Sequence, residues 1–261
     1  MQVPLREPDE KNAEDIQPTP MLAVAHYGVY DYLPVTLHGR KAVLLVFIGN
    51  EQHIWTHAVE AAYPVNVIPL AADDQYLVQA VYTYKPRGHY NDVITSVQIL
   101  TAQGQTVGEH LLFRDDSVCI YPVAAEIQKS GIEIFSEFTS RAHEYSKVKF
   151  GACVHRVNFT GQALSAYYND FTQNLSKDTA MKKYKLLQHS YLYMHKAIKL
   201  RNGNWLVAAE QFQRTRLRMM LFRKPFIVYN KKNICLMELD DHAVLDQIHV
   251  EANKPDGVRL P

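Results

Sequence analysis

The sequence predicts an all-β fold of four tandem units, and three observations predict it. A strand-like phrase recurs, a hairpin signature follows each copy, and turn residues precede it. The phrase reads Met21-Leu22-Ala23-Val24-Ala25-His26-Tyr27, then Tyr76-Leu77-Val78-Gln79-Ala80-Val81-Tyr82. It returns as Ile132-Glu133-Ile134-Phe135-Ser136-Glu137-Phe138 and as Trp205-Leu206-Val207-Ala208-Ala209-Glu210-Gln211. The four copies start 55, 56 and 73 residues apart. A chain that repeats itself at such a period is built of stacked, similar units.

Each unit then carries two apolar stretches around a short polar turn. The pairs are Ala42 to Ile48 with His53 to Val59, and Val93 to Leu100 with Thr106 to Leu112. The later pairs are Ala152 to Val157 with Gln162 to Tyr168, and Ile234 to Leu239 with Val244 to Val250. Gly, Asn and Asp in the tips supply the positive φ of tight hairpins. The flanking Val, Ile, Leu and Phe suit a pleated, half-buried surface.

Ahead of the opening phrases stand Pro18 and Pro20, Asp73-Asp74, Ser130-Gly131 and Asn202-Gly203-Asn204. A unit therefore reads strand, turn, strand, connection, hairpin. Four strands per repeat is the blade of a β-propeller. Unit one shows no clear first strand, and the tail Gly257-Val258-Arg259-Leu260 is a candidate to supply it and close a ring. Residues 1–20 hold four prolines and many charges and read as a disordered lead-in. Residues 21–261 read as a single propeller-like domain.

Unit four departs from the pattern twice. Residues 172–191 are extra and predict a short helix, capped by Ser176 or Asp178, with Met181, Tyr184 and Leu187 or Gln188 on one face. A second insertion, Arg214 to Pro225, follows the opening strand, and Arg214, Arg216 and Arg218 alternate along it. Residues 177–232 carry +12, leaving the rest of the chain at −11 against a total of +1. Lys182, Lys183, Lys185, Arg214, Arg216 and Arg218 thus form a candidate basic surface for a protein or polyanion partner. Tyrosines interleave with these cations, which also permits nucleic acid. That partner is the less favoured one, because solvated basic loops are common.

Composition narrows the classes. At 47% hydrophobic residues the chain can bury a sizeable core. No apolar run reaches the length of a membrane helix. The N-terminus lacks the regions of a signal peptide. The location is cytoplasmic if the chain is complete, and envelope or secreted if a signal was removed. Cys119, Cys153 and Cys235 lie apart with no metal spacing, so no disulfide framework, metal or cofactor is expected. Cys153 and Cys235 fall in hairpin strands and read as small buried hydrophobes. Nucleophile-elbow, dinucleotide and P-loop patterns are absent.

Aligning the opening phrases places His26, Val81, Glu137 and Glu210 at one repeat position. In a propeller such positions ring the central channel. A histidine and two carboxylates there could bind a cation or a sugar, or act as general acid and base. The competing reading is a structural carboxylate bonded to backbone.

Asn202-Gly203-Asn204-Trp205-Leu206-Val207-Ala208-Ala209-Glu210-Gln211-Phe212, with Asn233-Ile234-Cys235-Leu236-Met237-Glu238-Leu239-Asp240-Asp241, resembles a pattern in uncharacterised β-repeat proteins of Bacteroidetes-type bacteria. Asn91-Asp92-Val93-Ile94 fits the second part as well. The resemblance implies a propeller-like envelope or secreted protein without known enzymatic activity. The Arg-rich insertion departs from it. The expectation is a non-enzymatic binding scaffold. The alternatives are a carbohydrate-active propeller enzyme using Glu137 and Glu210, and a polyanion or nucleic-acid binder working through residues 177–232.

Overall fold

The computed structural model describes residues 25–27, 30–37, 40–48, 52–87, 90–140, 150–171, 190–217 and 226–252. Every regular element among them is a strand. Sixteen strands, β1 to β16, form four antiparallel sheets of four, each a run of consecutive strands. Sheet one holds β1 (Ala25–Tyr27), β2 (Tyr30–Leu37), β3 (Lys41–Ile48) and β4 (Gln52–Glu60). Sheet two holds β5 (Val65–Ala72), β6 (Tyr76–Arg87), β7 (Tyr90–Thr101) and β8 (Thr106–Leu112). Sheet three holds β9 (Val118–Gln128), β10 (Gly131–Ser140), β11 (Phe150–Val157) and β12 (Ala163–Asp170). Sheet four holds β13 (Ser190–Lys199), β14 (Trp205–Leu217), β15 (Phe226–Leu239) and β16 (Leu245–Ala252).

The four expected hairpins are β3–β4, β7–β8, β11–β12 and β15–β16. The opening phrases of units two to four are the second strands of their sheets, β6, β10 and β14. Unit one differs. Its second strand is β2, and the described part of its opening phrase, Ala25–Tyr27, is the first strand, one strand earlier than in the other units. The first strand is short, Ala25–Tyr27, and pairs His26 with Asp31 of β2. Pro34, opposite Leu44 of β3, masks β2 in the sequence. His26 therefore stands on a first strand, whereas Val81, Glu137 and Glu210 stand on second strands. The expected helix at 172–191 falls almost wholly outside the described residues, as do the lead-in and the tail at 257–260. Of that segment Ser190 and Tyr191 are described, and they begin β13.

The chain divides into two compact units. The first comprises residues 1–114, 129–131 and 157–162. Its core lies between sheets one and two, where Tyr32, Leu44 and Val46 meet Leu77 and Leu100. Ala42 packs beside Val65, Val67 and Val81. The second comprises residues 115–128, 132–156 and 163–261. Its core joins Phe135, Ala152, Val154 and Phe171 to Met194, Trp205, Val207, Cys235 and Met237. Cys119, Cys153 and Cys235 are free thiols in buried positions.

One turn geometry recurs. Gly104, Gly161 and Gly203 have φ of 81°, 81° and 89°, and Ala243 has 62°. Each donates its N–H to the residue three positions back, Thr101, Asn158, Leu200 and Asp240 respectively. The Asn158 and Asp240 side chains each accept two further turn N–H groups. These are local Asx bonds that fix the turn.

One contact also recurs, from a sheet's fourth strand to the last turn of the following sheet. Trp55 Nε1 donates to Ala102 O at 2.7 Å. His110 Nδ1 lies 3.2 Å from Gly161 O. Asn169 Nδ2 donates to Ala243 O at 2.9 Å. Close approach explains the glycines here. A Cβ on Gly104 would stand 2.6 Å from the Trp55 ring, and one on Gly108 2.6 Å from Phe159 O.

Candidate functional site

The strand ends of the second unit gather an ionic cluster around Glu133. This residue, near the start of β10, has a side chain only 2% exposed. A buried carboxylate is costly unless its oxygens are filled. Glu133 Oε2 accepts from Arg156 Nε at 2.9 Å, and Oε1 accepts from Trp205 Nε1 at 2.8 Å. Oε1 also receives the Lys199 ammonium. Sheet pairing brings these groups together. Lys199 ends β13 and stands in register with Trp205, which opens β14. Lys199 Nζ sits 4.8 Å from the Trp205 ring centroid, so the indole meets the cation with its face and the carboxylate with its N–H.

Arg156, at the end of β11, spans two acids. Its Nη2 donates to Asp241 Oδ2 in the β15–β16 turn at 2.8 Å. The hydrogen bonds to Asp241 and Glu133 hold the guanidinium more firmly protonated than usual. In return, Arg156 lowers the Asp241 carboxyl below its ordinary range. Beside them Asn202 and Asn204 both donate to Glu238 Oε1, at 2.9 and 2.8 Å, and lower that carboxyl too.

Above this cluster opens a polar cleft of about 400 Å³. Gln128, Glu133, Arg156, Lys199, Asn204 and Asp241 line it, with Asn202 and Gly203 at one side. Glu133 is saturated and acts as a base plate. Arg156 keeps Nη1, and Asn204 keeps Oδ1, beyond the bonds just named. Among the described residues the Gln128 amide has no hydrogen-bond partner. Asp240, Asp241 and His242 place three metal-type ligand atoms within 4.8 Å of one another. These groups are engaged elsewhere. Asp240 Oδ1 accepts the His242 and Val244 N–H groups, and Asp241 is shared between Arg156 and His242 Nδ1.

The residues selected from the sequence lie elsewhere. Glu137 is 5% exposed and accepts the Met194 N–H at 2.8 Å. Burial pushes its carboxyl up to about 8, against the lowering effect of that bond. Glu210 pairs with His195 Nε2 at 3.1 Å, and Tyr193 stands edge-on to the His195 ring. His195 is the bulged residue of β13, between Met194 and Lys196. Bulges re-aim side chains. The two carboxylates thus attach to consecutive residues of one strand, Glu137 in a sealed place and Glu210 in a more open one. Arg214 and Arg216 lie on β14 opposite Tyr229 and Ile227. Lys182, Lys183, Lys185 and Arg218 lie outside the described residues.

Sequence reasoning missed the Glu133 cluster, although one signal pointed to it. The second position of the opening phrase is Leu77 and Leu206 in units two and four, and Glu133 here. An acid in place of a repeated leucine marks a buried polar anchor. The fold and this site together define an all-β protein of four tandem meander sheets, with an ion-pair cluster at the strand ends of its second unit. No protein-family model matches the chain, and no curated protein matches it.

Proposed function

We propose that this chain is a non-enzymatic binding scaffold built on propeller-like blades, with the polar cleft of the second unit as its ligand site. The observation that carries the reading is how the buried acids are used. Glu133 accepts three donors and Glu137 accepts a backbone N–H, so both are structural anchors. At the cleft wall Arg156 Nη1, Asn204 Oδ1 and the Gln128 amide keep hydrogen-bonding capacity, as expected of a site that holds a ligand. The glycosidase alternative needs two carboxyls facing one sugar across a short gap. The sealed position of Glu137 and the His195 pairing of Glu210 support the scaffold instead.

The propeller-like part of the reading rests on four consecutive meander sheets and on the repeated strand-to-turn contact. The resemblance of the repeat phrases to β-repeat proteins supports it. Small-angle scattering tests it. A compact ring of this length has a radius of gyration of about 18 Å. A markedly larger radius, with the profile of an extended object, would contradict it.

The scaffold reading is tested by turnover. Chromogenic glycosides and esters incubated with the protein should release no more chromophore than buffer. Turnover that disappears in Glu137→Gln or Glu210→Gln, with the unfolding midpoint unchanged, would replace the scaffold with an enzyme.

A further inference from the structure

We infer that the cleft takes a neutral polyhydroxyl ligand, a sugar of one or two rings held by Gln128, Arg156 and Asn204. This rests on the scaffold reading and adds the chemical class of the ligand.

The argument starts from charge. The four ionic groups at the cleft are Arg156, Lys199, Glu133 and Asp241, two of each sign. They are paired with one another within hydrogen-bond distance. A bare anion would find both cations already neutralised, and a cation would find both carboxylates already filled. Coulomb attraction between such compensated groups and an outside charge is small in a solvated cleft.

Hydrogen-bonding capacity then narrows the class. Arg156 Nη1 offers donors, Asn204 Oδ1 an acceptor, and the Gln128 amide both. Donors and acceptors interleaved on planar groups match vicinal hydroxyls, each of which donates and accepts at once. An apolar ligand would strand these groups without partners, which is costly. The base of the cleft is rigid. Glu133 pins Arg156 and Lys199 from beneath, and the Asn202 and Asn204 amides are fixed on Glu238. Such support lowers the entropy lost on binding. A volume of about 400 Å³ lies at the small end of ligand sites and suits one or two sugar rings.

Titration calorimetry decides the matter. Glucose, galactose, mannose and their common disaccharides are titrated into the full chain, with inorganic phosphate and citrate as anionic probes. At least one sugar should bind with an affinity that does not change between 50 and about 500 mM salt, a range over which exposed ion pairs are screened. Gln128→Ala and Asn204→Ala should each weaken it roughly fivefold, the equivalent of one neutral hydrogen bond. Gln128 is exposed, so its variant folds, and the second variant is checked by its unfolding midpoint. Phosphate or citrate binding that falls with salt, with no sugar binding, would overturn the polyhydroxyl class and leave the scaffold. Sugar binding followed by cleavage would keep the ligand class and overturn the scaffold. Sugar binding unaffected by either variant would remove the ligand from this cleft. No binding by any probe would overturn the inference.

Discussion

Two buried glutamates carry opposite lessons. Glu133 is filled by three donors, and removing its carboxylate strands Lys199 and the Trp205 N–H. Glu133→Ala should therefore cost about 3–5 kcal/mol, the range for breaking a buried pair. Glu133→Gln keeps an acceptor for Trp205 and should cost less. Urea unfolding of both variants checks the order. Glu137 is held by a single backbone donor, and burial raises its carboxyl to about 8 from an ordinary 4.5. The folded protein then binds a proton that the unfolded chain releases above its own pKa. This contribution to stability is complete below about pH 4.5 and is lost as pH rises towards 8. Glu137→Gln mimics the protonated acid. It should flatten that slope and leave the variant more stable than the parent above pH 8. Unfolding midpoints of the two proteins across pH 4 to about 9 test this. Parallel curves would show that Glu137 is ionised in the fold.

The turn is the element that repeats most faithfully, and it sets the second group of tests. Gly161 combines a φ of 81° with a Cβ direction aimed at the Glu109 backbone. Gly161→Ala should destabilise by about 2 kcal/mol or more, from left-handed strain and collision together. Asp240 holds in the last turn the place that Asn158 holds in the turn of Gly161, and accepts two N–H groups. Asp240→Ala should cost about 1–3 kcal/mol. Thermal denaturation that leaves both variants at the parent midpoint would refute the turn account. These turns and their hairpins were legible in the sequence because their causes are local. Thr101, Asn158 and Asp240 bond within four residues, and the flanking apolar runs alternate in place. Strand β2 was not legible, since Pro34 interrupts its pattern and Met21 to Tyr27 imitates the later phrases more closely. The site was less legible still. Arg156 and Lys199 lie 23 and 66 residues from Glu133, and Asp241 lies 85 from Arg156. Only the folded sheets bring them together, and the leucine-to-glutamate change at position 133 was the one local trace.

Over the whole molecule, charge is separated along the sequence and then balanced where the described residues meet. The +12 segment 177–232 contributes Lys199 of sheet four to the Glu133 anchor of sheet three. Its role is thus partly internal, in holding sheet four to the acids of sheet three within the second unit. The proposed scaffold would bind through the polar groups that its ion pairs leave open at the cleft. Time-resolved proton NMR of the full chain, mixed with a disaccharide that binds in calorimetry, tests that claim most directly. The account predicts saturation transfer from protein to an intact disaccharide, with no new anomeric signal after a day. Growth of monosaccharide signals, or the absence of transfer to any sugar that calorimetry reports as bound, would contradict it.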